Sequence, residues 1–494
     1  LTNNHAMKGG GAFISTLHDC IIEYNAADLV GSFVYDISGG GASHSLLLDS
    51  RVSGNSAVYA GGGTSDSTII GCLVEENVAS NGGGAYSSSI QNCMVTNNYA
   101  RESGGGAYWC SIYNSQLTRN AAAINGGGSY DSFMQNCTVS DNSTSNEGGG
   151  AFHGTIMDST LSGNSAGLNG GGVCGANVGR SVLTNNYAPT GGGSAYSILT
   201  NCTIVCNQAD NGGGDAVGDL FSCLLYGNRA GSAGGGGYLS DLYNCTLAGN
   251  AATNYGGGAY ICSIYNGIVY YNTCSNGANH FDSSATYSCT VPNTGGTGNT
   301  TNTPQFVDAA VGNYRLSTNS PCIDRGNNVY VQGTTDLGGN PRFLNGVVDM
   351  GAYETQLYTG YRAWAAAITN GLTNDTDCAT GDGYPNLLKY ATGSSPTDAD
   401  DLPYLRGWWS NGWFQAGFHR NTNAVDVTIF VEDAYAITNK APWNGLVTNK
   451  SGSWSGATNV SESGASSPLS VTVQVADPVG KYTNRFLRLR VTRP

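Results

Sequence analysis

The chain has 494 residues, 74 of them glycine, with 40% hydrophobic and only 11% charged residues and a net charge of −14. Residues 1–290 hold 6 Lys and Arg against 18 Asp and Glu, which excludes a basic nucleic-acid stripe and a footing on an anionic membrane surface. No run of 18 apolar residues is present, so no helix is expected to span a bilayer.

Glycine triplets begin at residues 9, 39, 61, 82, 104, 126, 148, 170, 191, 212, 234 and 256. From 39 onward their spacing is 21 or 22 residues. Units this small cannot bury a core alone and must stack as a solenoid. Leu1 falls inside a repeat, so an upstream segment is expected to have been removed or never built. The first interval is 30 residues, which places an insertion of about eight within 31–61, read as a surface loop.

Counted from the first glycine of each triplet, offsets 8 and 13 are aliphatic in all twelve repeats, for example Ile90 and Val95. Offset 11 is Cys, Ser or Gly; Cys20, Cys72, Cys93, Cys137, Cys202, Cys223 and Cys245 fall there. Such a column reads as packed, reduced thiols, and the absence of CxxC pairs argues against zinc. Cys274, Cys289, Cys322 and Cys378 lie outside it and are free to pair, with partners unassigned.

Offset 16 is always Asn: Asn25, Asn55, Asn77, Asn98, Asn120, Asn142, Asn164, Asn186, Asn207, Asn228, Asn250 and Asn272. An amide on every rung can donate to one neighbour and accept from the other, and Asn tolerates the left-handed backbone of a sharp corner. Offset 10, Asn or Asp in nine repeats, reads as a second corner and the glycine triplet as a third. Short strands, three corners and a 22-residue period predict a right-handed parallel β-helix of about 12 rungs.

Chemistry is sparse along this rod. Offset 4 is aromatic at Phe13, Tyr86, Tyr108, Tyr130, Phe152, Tyr238 and Tyr260, either a stacked ladder or a sugar-binding stripe. Asp215, Asp219 and Asp241 form the densest acidic spot and read as solvated turn carboxylates. The histidines form no column, and no catalytic acid–base pair is found.

The GGGAY/GGGAF and NCxV–xxN patterns over residues 9–275 resemble the repeats of polymorphic outer-membrane proteins. That resemblance implies adhesion or surface display, although the autotransporter barrel of that family is missing. After the linker-like 291–303 come Pro304, Phe306, Asp308, Tyr314, Leu316, Ser320-Pro321-Cys322, Asp324, Gly326, Asp336, Gly339, Arg342, Asp349 and Gly351-Ala352-Tyr353-Glu354. These residues resemble the C-terminal segment of bacterial secreted choice-of-anchor Q proteins, which implies export; the segment is expected to cap the open coil end.

Residues 357–401 read as a helical linker, in which GDGYPNLLKY is similar to calcium-loop modules of pattern DxDGDGxPNxxEY. Laid on a twelve-residue loop, Cys378 stands where the first carboxylate belongs and Lys389 where the bidentate Glu belongs. A degenerate loop is therefore expected, with Asp375, Asp377, Asp382 and Asn386 as candidate calcium ligands and no other cofactor. Residues 402–494 alternate apolar and polar and predict a β-sandwich. There Arg485, Arg488, Arg490 and Arg493 suggest an assembly strand, and Trp408, Trp409 and Trp413 suggest sugar platforms.

The resulting domain map is 1–290 β-helix, 291–356 capping segment, 357–401 linker and 402–494 sandwich. The expected function is that of an exported, non-enzymatic, adhesive surface protein that self-assembles head-to-tail. The alternative is a carbohydrate-binding or polysaccharide-degrading β-helix.

Overall fold

The computed structural model describes residues 1–28, 37–344, 346–355 and most of 360–493, the longer gaps being 435–442 and 479–485. Packing divides the chain into two compact units, Leu1–Thr355 and Gln356–Pro494.

The first unit is a right-handed parallel β-helix of about 13 turns. A typical turn carries strands Ala85–Tyr86, Ser89–Gln91, Met94–Thr96 and Tyr99–Ser103. Equivalent strands stack in register, with Ala85 beside Ala107, Ile90 beside Ile112 and Val95 beside Leu117. Three of the resulting sheets have 13 strands; the fourth is split into runs of eight and three. The thirteenth turn, Gly277 to Thr290, lacks the triplet and escapes the sequence pattern.

Each turn bends at left-handed residues at offsets 0, 5, 10 and 15; in one turn these are Gly104, Trp109, Asn114 and Arg119, all at positive φ. The strict Asn column is thus not itself at a corner but follows one. The second and third glycines of the triplet are needed for another reason. A Cβ on Gly83 would lie 2.4 Å from the Tyr99 carbonyl oxygen of its own turn and 2.6 Å from the Gly105 carbonyl oxygen of the next, so the turns close and stack only without a side chain there.

Buried Ile, Leu, Val, Ala and Cys side chains of all the turns merge into one core running from Ile22 to Ala285. Burying each such aliphatic side chain contributes roughly 1.5–3 kcal/mol, shared between the turns above and below. The inserted residues fall at 29–36, outside the described residues, because Ala26 already pairs with Ser56 and Ala12 with Ala42. The stretch from Gly39 to Gly61 is an ordinary turn.

The segment expected to cap the coil is divided. Residues 291–303 close the end, with the Asn279 amide donating to the Val291 carbonyl and the Asn299 amide to that of Ala285. Residues 304–355 instead run back along the flank as a strap. Ala352 N–H donates to Thr246 Oγ1, and Tyr314 packs with Leu224 and Ala248. The flank prepares for this at offset 12, which turns from exposed Arg51, Met94 and Gln116 to buried Leu224, Thr246 and Ile268.

In the second unit, helices Gly360–Ala365 and Asn386–Thr392 precede two four-stranded antiparallel sheets. Tyr361, Leu387, Tyr390 and Ala391 from the helical stretch share one core with Phe418, Ile429, Val431 and Val473 from the sheets. The helical stretch is therefore packed into the sandwich rather than strung out as a linker.

Candidate functional site

Asn25 to Asn272 are all buried, and the ladder they form is internal. Asn98 illustrates it. Its backbone N–H and its Nδ2 both donate to Asn120 Oδ1 at 3.0 Å, while Nδ2 also donates to the Val74 carbonyl at 2.9 Å. At the last turn Asn279, from a glycine-triplet position, supplies the acceptor for Asn272. Two further ladders of Ser and Cys follow the other corners. The N–H groups of Ser67 and Cys93, for example, donate to Ser88 Oγ and Ser115 Oγ. The one at offset 6 is masked in sequence by the abundance of serine in the loops. With the hydrogen-bonding capacity of these columns spent internally, chemistry is left to the outer faces.

One outer face concentrates it. This is the second strand of each turn with the corner before it, because offsets 7 and 9 point outward while offset 8 is buried. At turns four to seven, Tyr86, Tyr108, Tyr130 and Phe152 stack; the Tyr108 and Tyr130 rings are 4.5 Å apart and 3° from parallel. Burial, then the neighbouring phenols, pushes the Tyr108 hydroxyl up to about 12. These rings are mostly spent on one another. The accessible one is Trp109, 52% exposed at the corner. It leans on Tyr108 at 4.9 Å and donates from Nε1 to Asp131 Oδ2 at 3.2 Å. On the next turn His153 stacks over Phe152 at 4.1 Å.

At turns ten to twelve the same face carries Asp219 directly in register with Asp241. Beside them Phe221, Tyr243 and Tyr265 stack at 5.0 and 4.9 Å, and Tyr330 of the strap extends the stack at 4.7 Å. Burial and the adjacent Asp241 raise the Tyr243 hydroxyl. Exposed Val217, Leu239 and Ile261 border the acids on the corner side. Asp215 is not a solvated carboxylate but fully buried, accepting from Ser194 and Ser240.

Asp219 and Asp241 are side by side on one flat sheet and point the same way. This pair can accept hydroxyl hydrogen bonds from a ligand lying across it.

The strap gathers another acidic set. Asp324, Asp349 and Glu354 each place a carboxylate oxygen within 4.8 Å of the others. Asp349 accepts from the N–H groups of Asp324 and Thr355, and Glu354 from that of Asp349. Arg342, fully buried, supplies the positive charge 3.9 Å from Glu354 and donates to the Gly351 carbonyl. Burial first, then Asp349, pushes the Glu354 carboxyl up to about 8. This is a clasp that holds the strap's own fold.

The candidates in the second unit are internally engaged. Asp375 pairs with Arg493, Asp377 accepts from Asn374, Asp382 pairs with Lys389, and Asn386 bonds to loop backbone. Among the described residues, Asp375, Asp377 and Asp382 do not gather as three close carboxylates. Arg488 and Arg490 both bind Glu432 and lie over Trp443 and Phe430. These contacts tie the sheet to itself; Arg485 lies outside the described residues. The Trp408 ring packs over Gly417, Trp413 is half-buried, and the side chain of Trp409 lies outside the described residues. All fifteen cysteines are free thiols, and Cys289 and Cys322 share one buried cluster.

No helix among the described residues is long and apolar enough to cross a membrane. No protein-family model and no curated protein matches the chain. Among solved structures it is similar to pectate lyase Pel9A, at 14% identity and TM-score 0.27, over 68% of this chain and 96% of that one. It is also similar to two double mutants of the tailspike protein of E. coli bacteriophage HK620, one of them in complex with a pentasaccharide. These are 9% and 10% identical, with TM-scores of 0.22 and 0.21, over 95% of this chain and 84% of theirs.

Proposed function

We propose that this is an exported, non-catalytic surface protein whose β-helix binds neutral polysaccharide along one face. The observation that carries this reading is the outward stripe that runs from Trp109, Asp131 and His153 to Asp219, Asp241 and the Phe221–Tyr243–Tyr265 stack. Aromatic rings offer apolar faces to sugar rings, and carboxylates accept sugar hydroxyls. Successive rungs about 4.8 Å apart present these groups in a line, which suits an extended chain lying parallel to the rod.

Charge selects the ligand. Residues 1–290 hold three acidic side chains for every basic one, so a polyuronate is repelled at low salt and a hydroxyl-rich neutral glycan is not. Export by a bacterium is supported by the choice-of-anchor Q-like motif, whose Asp324, Asp336, Arg342, Asp349 and Glu354 hold the strap together. The repeat resemblance to polymorphic outer-membrane proteins favours adhesion over turnover.

A glycan array spanning neutral and acidic polysaccharides tests the reading, paired with reducing-sugar and unsaturated-product assays. Binding to neutral chains is expected, weakened about tenfold by Trp109→Ala and by Tyr243→Ala, which is about 1.4 kcal/mol each. Turnover of any chain, or binding unaffected by both substitutions, would rule the proposal out.

A further inference from the structure

The loop before helix Asn386–Thr392 has the spacing of a calcium loop, yet its centre is occupied by the chain itself. Lys389 reaches back from the helix with its side chain only 1% exposed. Its ammonium donates to Asp382 Oδ2 at 2.5 Å, to Thr380 Oγ1 at 3.2 Å and to the Asp398 carbonyl at 2.9 Å. An ammonium has three donors, and here all three are satisfied.

The surrounding donors are arranged toward the same carboxylate. Asp382, 4% exposed, also accepts from Thr380 Oγ1 at 2.7 Å, from Tyr384 N–H at 2.9 Å and from the Cys378 thiol at 3.2 Å. Burial works against its charge, but these partners, Lys389 foremost, hold it below the usual carboxylate range. Gly381 and Gly383 take the left-handed conformations that turn the loop around this point. Calcium does not fit this donor set. It requires six to eight oxygens with carboxylates leading, and here a thiol stands first, an ammonium stands last, and Asp375 is committed to Arg493.

We infer that Lys389 is a built-in cation that replaces a divalent metal in this loop, so that the C-terminal unit folds and holds its shape without metal. Position 389 is at once a ligand position of the loop and the source of its charge. Removing the ammonium leaves Asp382 buried and uncompensated, and replacing it with a carboxylate puts two acids at one point, an arrangement that demands a divalent cation.

The test uses the full chain and calcium chloride as the probe. The wild-type protein should melt at the same temperature in EDTA and in millimolar calcium, and calorimetric titration should show no calcium binding; a calcium-dependent rise in melting temperature would overturn the inference. Lys389→Glu should melt lower in EDTA and recover in calcium, and a folded Lys389→Glu protein that ignores calcium would overturn it. Lys389→Gln should be destabilised equally with and without calcium, and a Lys389→Gln protein as stable as wild type would also overturn it. Should Lys389→Glu fail to fold in either condition, the Lys389→Gln and wild-type measurements decide the matter by the same criteria.

Discussion

Asp215 accepts a hydrogen bond from Ser194 of the preceding turn at 2.5 Å, inside a column that elsewhere holds Ala, Ser, Thr, Val or Gly until His280 ends it. Ser240 and the Gly218 N–H complete its partners at 2.7 and 3.2 Å. Burial outweighs these bonds and pushes the carboxyl from 3.8 up to about 6.

The folded state therefore holds this proton more tightly than the unfolded chain does, and the contribution of Asp215 to stability falls as pH rises from about 4 to about 6. A shift of this size is worth roughly 3 kcal/mol. Asp215→Ser should remove that part of the pH dependence and stabilise the protein at pH 7. Denaturant melts of both proteins at pH 4, 5, 6 and 7 check this; parallel curves would refute it.

The amide ladder predicts large single-site effects. Asn142 accepts from the N–H and Nδ2 of Asn120 and donates to the Leu117 carbonyl. Asn142→Ala removes all three bonds, leaving the Asn120 amide with only the Val95 carbonyl, and should cost about 3 kcal/mol. Asn185→Ala, one residue before the ladder at an exposed corner, should cost far less. Equal losses in chemical denaturation would mean that the corner, not the amide, matters.

The two aromatic roles are separable. Tyr108→Ala interrupts the stack between Tyr86 and Tyr130 and should lower stability by about 1–3 kcal/mol with little direct effect on a ligand. Trp109→Ala should show the reverse, a small stability change and a loss of glycan binding. Melting temperatures measured beside binding isotherms distinguish the two.

Thiol reactivity should follow burial. Cys206 is the exposed member of the set. Burial raises Cys110, Cys174 and Cys262 to about 12, which suppresses their thiolate forms. Brief alkylation of the native protein followed by mass mapping should therefore label Cys206 first and those three only after denaturation.

Much of the rod could be read directly from the chain because its inward columns are restricted in residue type: aliphatic at offsets 8 and 13, Asn at 16. The corners were harder. Left-handed positions are occupied by Trp109, Arg119, Leu239 and Ile261 as well as by Asn, because the stacked turns on either side impose the conformation and residue type does not report it. Trp109 stands at one of these corners, outside the regular aromatic column at offset 4, so no periodicity in the sequence marks it. The pairing of Asp219 with Asp241 needs only the 22-residue period to be seen, whereas the burial of Asp215 does not follow from it. The strap left a readable trace in Leu224, Thr246 and Ile268, three outward positions that turn toward burial together. Lys389 was legible as a defect in a metal loop, but its role as the loop's own cation required knowing where the ammonium ends.

The strap also changes what happens when the rod is pulled. Backbone hydrogen bonds between turns lie along the axis, so tension loads them one after another and a bare coil would peel turn by turn, each releasing about 22 residues of slack. Asn201 is tied to Thr335, Thr246 to Ala352 and Asn266 to Asn327, so turns nine to twelve are fastened to a single strand of chain. Those turns are joined to one another through the strap as well as through their own ladders, a second connection that follows a different path along the chain.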